Sequence, residues 1–125
     1  MKETVSACPA ERTLQMIGGR WKVFILWQLL AEMLRFSDLQ RRINDCLEDK
    51  TSVVTAKMLT QELRQMEADG LVHREVYAQV PPKVEYSLTP LGQSLRPVVE
   101  AMAEWGRTNT KETAAPSCAS ASFPL

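Results

Sequence analysis

The sequence has few of the residues from which catalytic and metal sites are built. Among 125 residues there is one histidine, His73, and the three cysteines are widely spaced without a CxxC pair. A zinc site would lack ligands, and no acidic residue is placed to orient His73 for nucleophilic catalysis, although Glu75 shares its face. The five glycines form no phosphate-binding loop. We therefore expect a protein that is not an enzyme and that uses no metal or cofactor.

Net charge and long apolar runs are also absent. Fifteen basic residues balance fifteen acidic ones, which excludes a polybasic coat for nucleic acid. The longest apolar run, at 23–27, is far shorter than the roughly 20 residues that span a bilayer. The first residues also lack the apolar segment of a secretory signal. With 45% hydrophobic residues, the chain is expected to fold as one cytoplasmic domain with reduced thiols and no membrane partner.

Three helices are predicted in the first half of the chain. The first has Pro9 at its first position and ends before a glycine pair. The second, at about 21–32, is apolar enough to be buried. The third follows Ser37, a suitable N-cap, and the polar stretch 44–54 is predicted to form a loop.

The fourth predicted helix, residues 55–69, has two distinct faces. Thr55 is a suitable N-cap. At about 100° per residue, Leu59, Leu63 and Met66 share one face. The centre of the opposite face has polar and basic residues but no carboxylate, which suits contacts with phosphates and base edges. These residues are Lys57, Thr60, Gln61 and Arg64.

A β-hairpin and a last helix follow. Residues 71–88 are predicted to form a wing whose two strands flank a proline-containing tip at 78–82. The helix over about 90–106 should kink at Pro97 and end at Gly106, and it carries an apolar seam with heptad spacing. The seam residues are Leu91, Leu95, Val98, Met102 and Trp105.

The order of these elements predicts a winged helix-turn-helix domain, mainly α with a small β-hairpin (α+β), over residues 8–106. Residues 1–7 are expected to be a flexible N-terminus. The stretch 107–125, rich in Ser, Thr, Ala and Pro, is expected to be a disordered tail. In this architecture the fourth helix lies in the DNA major groove and the wing reaches the neighbouring backbone.

The sequence resembles the HxlR-type bacterial transcriptional regulators over residues 8–106. The resemblance rests on CPxER from Cys8, IGGxW from Ile17, RFxxL from Arg35, LTxxLRxxExxGL from Leu59 and PPxVEYSLTPLG from Pro81. The chain departs from the family at 44–55, which is several residues longer than usual, and at Ala56, which replaces a proline.

The resemblance implies a cytoplasmic homodimer that binds double-stranded DNA and represses or activates a nearby promoter. It also implies dimerisation through the first and last helices, in agreement with the apolar seam. Dimer symmetry then predicts a palindromic operator. The predicted DNA contacts are Lys57, Thr60, Gln61 and Arg64, flanked by Arg41, Arg42, Gln79 and Lys83.

The cysteines leave two interpretations open. In several relatives the cysteine of the CPxER segment senses oxidants or electrophiles, and Cys8 matches that position. The alternative is a buried, inert thiol at a helix start. Cys46 and Cys118 are expected to be exposed bystanders, although Cys46 could act as a resolving partner.

A second function is also open. Zero net charge is unusual for a DNA-binding protein, because phosphate contacts dominate affinity. It would suit a winged-helix module that binds another protein and no DNA. Binding to a duplex that weakens steeply with salt would separate the two functions.

Overall fold

The structure, a computed structural model, describes residues 6–47 and 51–110. It is mainly α with a small antiparallel sheet, as predicted. The helices are α1 Pro9–Ile17, α2 Lys22–Ala31, α3 Phe36–Asp45, α4 Ala56–Ala68, α5 Pro90–Gln93 and α6 Arg96–Asn109. The strands are β1 Leu34–Arg35, β2 Val72–Tyr77 and β3 Lys83–Leu88.

The ends of α1 and α4 follow the capping signals in the sequence. Pro9 occupies the first turn of α1, where its missing N–H leaves no helical bond unmade. Thr55 caps α4, because its hydroxyl accepts a hydrogen bond from the Met58 N–H at 3.1 Å. Beyond α4, Gly70 has a φ of +84°, the left-handed conformation that glycine adopts most easily.

Over residues 6–47 and 51–110 the sheet has three strands, where the sequence predicted two. β3 lies between β1 and β2, with Leu34 opposite Tyr86 and Arg35 opposite Glu85. A strand of two residues is too short to produce an alternating pattern, so the sequence gives no signal for β1. Because α3 begins directly after β1 with Arg35 as its N-cap, the prediction of Ser37 as N-cap was wrong.

The predicted loop from residue 44 begins later than expected. Asn44 and Asp45 complete α3, and Cys46 follows as its C-cap residue. Cys46 is buried, and its Sγ lies 3.6 Å from the Gln28 Nε2 that donates to it. The expectation of an exposed thiol at this position was therefore wrong. Residues 48–50 of the long segment, and Cys118, lie outside the described residues.

The last helix also differs from the prediction. It is interrupted at Ser94 and Leu95, so α5 and α6 are separate helices. Pro97 lies in the first turn of α6. The expected departure from one straight helix is therefore a break before Pro97 instead of a kink at it, because Pro97 has no N–H to donate to the carbonyl of Gln93, the last residue of α5. Gly106 does not end α6, which continues through Asn109. The first residues of the predicted disordered tail are thus helical, and 111–125 lie outside the described residues.

The core is formed mainly by α2, α3, α4 and the start of the hairpin. Its largest fully buried side chains include Ile25, Leu39 and Leu63. Trp21 is buried as predicted, and Phe24 packs partly buried against the same core. Within the described part of the chain, no helix is both long enough and apolar enough to cross a membrane.

Candidate nucleic-acid interface

The two faces of α4 have the burial predicted from the sequence. Leu59, Leu63 and Met66 are at most 1% exposed and hold the helix on the core. The polar face points away from the core: Lys57, Gln61 and Arg64 are exposed and Thr60 is half-buried. The hydrophobic face therefore fixes the rotation of α4 so that the predicted DNA-reading side chains stand outward.

The centre of the polar face of α4 is basic, although Glu67, an exposed carboxylate on its flank, lines the same cleft as Arg64. Glu62, on one flank, faces Lys22 with 4.0 Å between the carboxylate and ammonium groups. Among the described residues, Lys57 and Arg64 form no ion pair. Both cations are therefore available to an external anion without first losing an intramolecular partner.

Arg41 and Arg42, predicted to flank the site, each have an acidic partner on the protein. The Arg41 guanidinium lies 3.0 Å from an Asp38 oxygen, and Arg42 lies 2.7 Å from a Glu32 oxygen. Both pairs are solvent-exposed enough to exchange with water or another anion. Their net contribution to a positive surface is nevertheless smaller than that of Lys57 or Arg64.

The outer face of the hairpin carries a row of polar contacts. Lys83 Nζ lies 3.4 Å from a Glu85 oxygen and 4.7 Å from the centre of the Tyr77 ring. A hydrogen bond to Glu85, the charge of Glu85, desolvation and the charge of Glu75 raise the pKa of the Tyr77 hydroxyl. His73 Nε2 lies 2.9 Å from a Glu75 oxygen, so the expectation that no acid is placed to orient this imidazole was wrong.

Arg74 is a basic residue of the site that the sequence reasoning missed. It lines a cleft of about 370 Å³ between α4 and the hairpin. Arg74 is exposed and forms no ion pair among the described residues. The alternation of side chains along a strand could have indicated this position. It places Arg74 on the same face of β2 as Val72, which is buried, and therefore on the face that turns toward the rest of the domain. The cleft residues are Thr60, Leu63, Arg64, Glu67, Arg74 and Tyr86.

The predicted dimerisation seam is only partly open in the protomer. Leu91, Met102 and Trp105 are exposed, with 65% of the Trp105 surface accessible. Leu95 and Val98 instead pack partly buried against the core of their own protomer. Leu95 lies in the interruption between α5 and α6, outside the continuous helix on which the heptad prediction depended, whereas Val98 lies within α6. On α1, Leu14 is also exposed.

Cys8 is exposed at the N-cap position of α1, so the alternative of a buried thiol was wrong. Its N–H donates to the Ser6 hydroxyl at 3.1 Å. The Arg12 guanidinium donates to the carbonyl oxygens of Ser6 and Ala7, at 3.1 and 3.3 Å. Arg12 thus holds the backbone that precedes Cys8, and the thiol stands at the positive end of a helix.

The chain is similar to known regulators in sequence. The model of a family described as HxlR-like helix-turn-helix matches residues 16–114. An uncharacterized HTH-type transcriptional regulator of Bacillus subtilis, YybR, is 48% identical over 102 residues, which cover 82% of this chain and 75% of that protein.

Solved structures show the same similarity in three dimensions. The redox regulator HypR in its reduced form is 48% identical with a TM-score of 0.72, and the match covers 82% of this chain and 93% of HypR. HypR in its oxidized form gives a TM-score of 0.71. Diamide-treated YodB from B. subtilis is 27% identical with a TM-score of 0.62, and the match covers 84% of this chain and 97% of YodB.

Proposed function

From the premise that the chain belongs to the HxlR-like helix-turn-helix family, a family of transcriptional regulators and not of enzymes, we propose that it binds a palindromic operator as a cytoplasmic homodimer. The observation that carries this proposal is the outward polar face of α4 with two cations, Lys57 and Arg64, that form no ion pair among the described residues. α4 is then the recognition helix in the DNA major groove.

Each side chain of α4 has a role that follows from its chemistry. Thr60 and Gln61 offer hydrogen-bonding groups that suit base edges, and the planar guanidinium of Arg64 matches O6 and N7 of guanine. Lys57, in the first turn, provides a charge to the phosphate backbone. The N-terminal part of a recognition helix makes most base contacts, which favours Thr60 and Gln61 as the residues that reach furthest toward the base edges.

Residues beside α4 would bind the phosphate backbone. Arg74 extends the basic surface from α4 to the hairpin, with no acidic partner among the described residues. Lys83 and Gln79 place a cation and an amide on the wing, as predicted from the sequence. Arg41 and Arg42 contribute less, because each would first exchange its carboxylate partner for a phosphate.

The exposed apolar residues of α1, α5 and α6 support a dimer. Leu14, Leu91, Met102 and Trp105 are large side chains whose burial by a second copy would be favourable. A two-fold dimer presents two copies of α4, and half-site centres should lie about 34–36 Å apart or at a multiple of that distance.

Cys8 is proposed as a thiol sensor within this regulator. Its exposure, its position at a helix N-terminus and the likeness to HypR and YodB support the role. Its modification beside α1 would alter the dimer arrangement and thereby the spacing of the two recognition helices. A small oxidant or electrophile would be the effector.

We expect Cys8 to react faster than the other thiols with iodoacetamide. In a Cys46→Ser, Cys118→Ser background, its modification should lower affinity for operator DNA at least tenfold without unfolding the protein. Mass spectrometry and fluorescence anisotropy measure the two effects. Unchanged affinity after complete modification of Cys8 would refute the sensor role.

Selection of duplexes from a random library, followed by salt titration, tests the function itself. A regulator should enrich a palindrome and bind it with an affinity that falls steeply as salt rises, because bound phosphates release counterions. If the chain binds no duplex at low salt, the proposed function fails and the alternative of a protein-binding module is favoured. Two observations agree with that alternative. The chain has zero net charge, and the cations Arg41, Arg42 and Lys83 are each paired with a carboxylate of the protein.

A further inference from the structure

The peptide groups of Val54 join α3 to the start of α4. Val54 is completely buried and directly precedes Thr55, the N-cap of α4. Its N–H donates to Asn44 Oδ1 at 2.8 Å, and its carbonyl accepts from Asn44 Nδ2 at 3.2 Å. Gln40 Nε2 donates to the same carbonyl, also at 3.2 Å. Side chains of α3 therefore satisfy both polar groups of a buried residue.

The geometry of these bonds restricts how α4 can move. Gln40 and Asn44 are four residues apart, so they project from one face of α3. The single amide of Asn44 holds both the N–H and the C=O of Val54, which fixes distance and orientation together. Gln40, one turn before Asn44 on α3, donates to the same Val54 carbonyl. The contact spans ten residues of sequence between Asn44 and Val54.

We propose that Asn44 is a positioning residue that sets where α4 begins and so determines how its outer face meets the bases. This inference rests on the proposed DNA-binding function of α4. Asn44 acts through the backbone of Val54 and through the cap at Thr55. Gln40 supports the same placement with a single hydrogen bond.

The consequence for DNA binding follows from the geometry of the contacts at the bases. Hydrogen bonds to base edges weaken steeply when the distance or angle departs from its optimum. Thr60 and Gln61 have short or moderately long side chains and tolerate little displacement of α4. Phosphate contacts made by long, flexible cations such as Lys57 tolerate more. Loss of the Asn44 bonds should therefore reduce sequence selectivity more than general affinity for DNA.

The test uses the full chain and two duplexes, one selected by the wild-type protein from a random library and one with the same bases in scrambled order. For Asn44→Ala we expect the ratio of the two affinities to fall at least tenfold, while affinity for the scrambled duplex stays within twofold. Asn44→Asp should lower the ratio at least as much, because a carboxylate oxygen replaces the donor that faces the Val54 carbonyl. Gln40→Ala should lower it two- to threefold, since Asn44 still holds that carbonyl.

A control variant separates positioning from simple loss of stability. Ile25→Val removes one buried methylene group from α2 and changes no polar contact, and Ile25→Ala removes more, so one of them can be matched to Asn44→Ala in melting temperature. The matched variant should keep the wild-type ratio at 25 °C.

The outcomes distinguish the two proposals. If wild-type protein binds no duplex, the proposed function fails. If it binds selectively but Asn44→Ala keeps the wild-type ratio, or if the matched Ile25 variant loses selectivity equally, the positioning role of Asn44 is refuted. Should Asn44→Ala not fold, Gln40→Ala decides: a ratio reduced at least twofold supports the proposal, and an unchanged ratio overturns it.

Discussion

Arg74 and Lys83 lie on neighbouring strands of the hairpin, but only Lys83 has an acidic partner among the described residues. An exposed ion pair such as Lys83 with Glu85 is weak, yet it lowers the net charge that Lys83 presents to DNA. Arg74 forms no ion pair among the described residues, although Glu67 lines the same cleft as Arg74 and Arg64. Two basic residues on the same hairpin can therefore differ in the charge that they present to DNA, because one of them has a carboxylate partner within the protein.

This difference predicts two distinct salt dependences. Arg74→Ala should weaken binding to selected and scrambled duplexes equally and reduce the slope of log affinity against log salt by about one unit. Lys83→Ala should reduce the slope by less than about half of that, because its charge is partly neutralised by Glu85. Anisotropy titrations at several salt concentrations measure both slopes. A change for Arg74→Ala that is confined to one sequence would show that it reads a base instead.

At the scale of elements, Gly92 allows α5 to approach the start of the hairpin. A Cβ at this position would lie 2.3 Å from the carbonyl oxygen of Leu71, far inside van der Waals contact, and a backbone atom cannot move aside cheaply. The same carbonyl accepts the N–H of Thr89 at 3.0 Å. The close approach therefore depends on the absence of a side chain at residue 92.

Two glycine substitutions should consequently have opposite effects. Gly92→Ala should destabilise the fold by about 1–3 kcal/mol, as other overpacked sites do. Gly106→Ala, in α6, meets nothing within 4 Å and should stabilise the helix by roughly 0.5–1 kcal/mol through its better helix propensity. Urea unfolding of both variants at one protein concentration measures the difference. Equal stability of the Gly92 variant and wild type would contradict the packing described for α5.

The elements that could be predicted from sequence are those with a long pattern or a capping residue. The period of α4 and the cap at Thr55 placed that helix and its outward face correctly. β1 could not be predicted, because two residues make no pattern and its pairing with β3 is a tertiary contact. Burial of Cys46 likewise depends on α2, which supplies Gln28.

Prediction of the candidate site was limited in the same way, because a sequence pattern reports local spacing and not contacts between separate elements. Helical spacing shows that Lys57 and Arg64 share a face, because that relation is local. Whether a cation has a carboxylate partner depends on elements distant in sequence, as for Arg42 with Glu32. The seam prediction assumed one continuous helix, and neither the interruption at Leu95 nor the packing of Leu95 and Val98 against the core of their own protomer can be read from heptad spacing.

At the scale of the whole molecule, the exposed part of the seam should hold two chains together. We expect light scattering at micromolar concentration to give twice the 14.1 kDa mass of one chain. Met102→Glu and Trp105→Glu should each give monomers, because a charge would be buried in an apolar contact. Leu95→Glu is a poor test, since Leu95 packs against its own core.

A matched control comes from the hairpin tip. Val80 is 98% exposed and lies off the seam, so Val80→Glu makes the same apolar-to-acidic change without entering the proposed interface. It should remain a dimer. A wild-type mass of one chain, or dimers that persist in both seam variants, would refute the proposed interface.

The central claim, that the outer face of α4 reads DNA sequence, is tested most directly by removing that face. Thr60→Ala, Gln61→Ala and Arg64→Ala combined should keep the fold and the dimer, because none of these side chains is fully buried. The ratio of affinities for the selected and scrambled duplexes should then approach one, with Arg64→Ala alone costing about 1–3 kcal/mol and relaxing preference at one base pair. A triple variant that keeps the wild-type ratio would contradict the account.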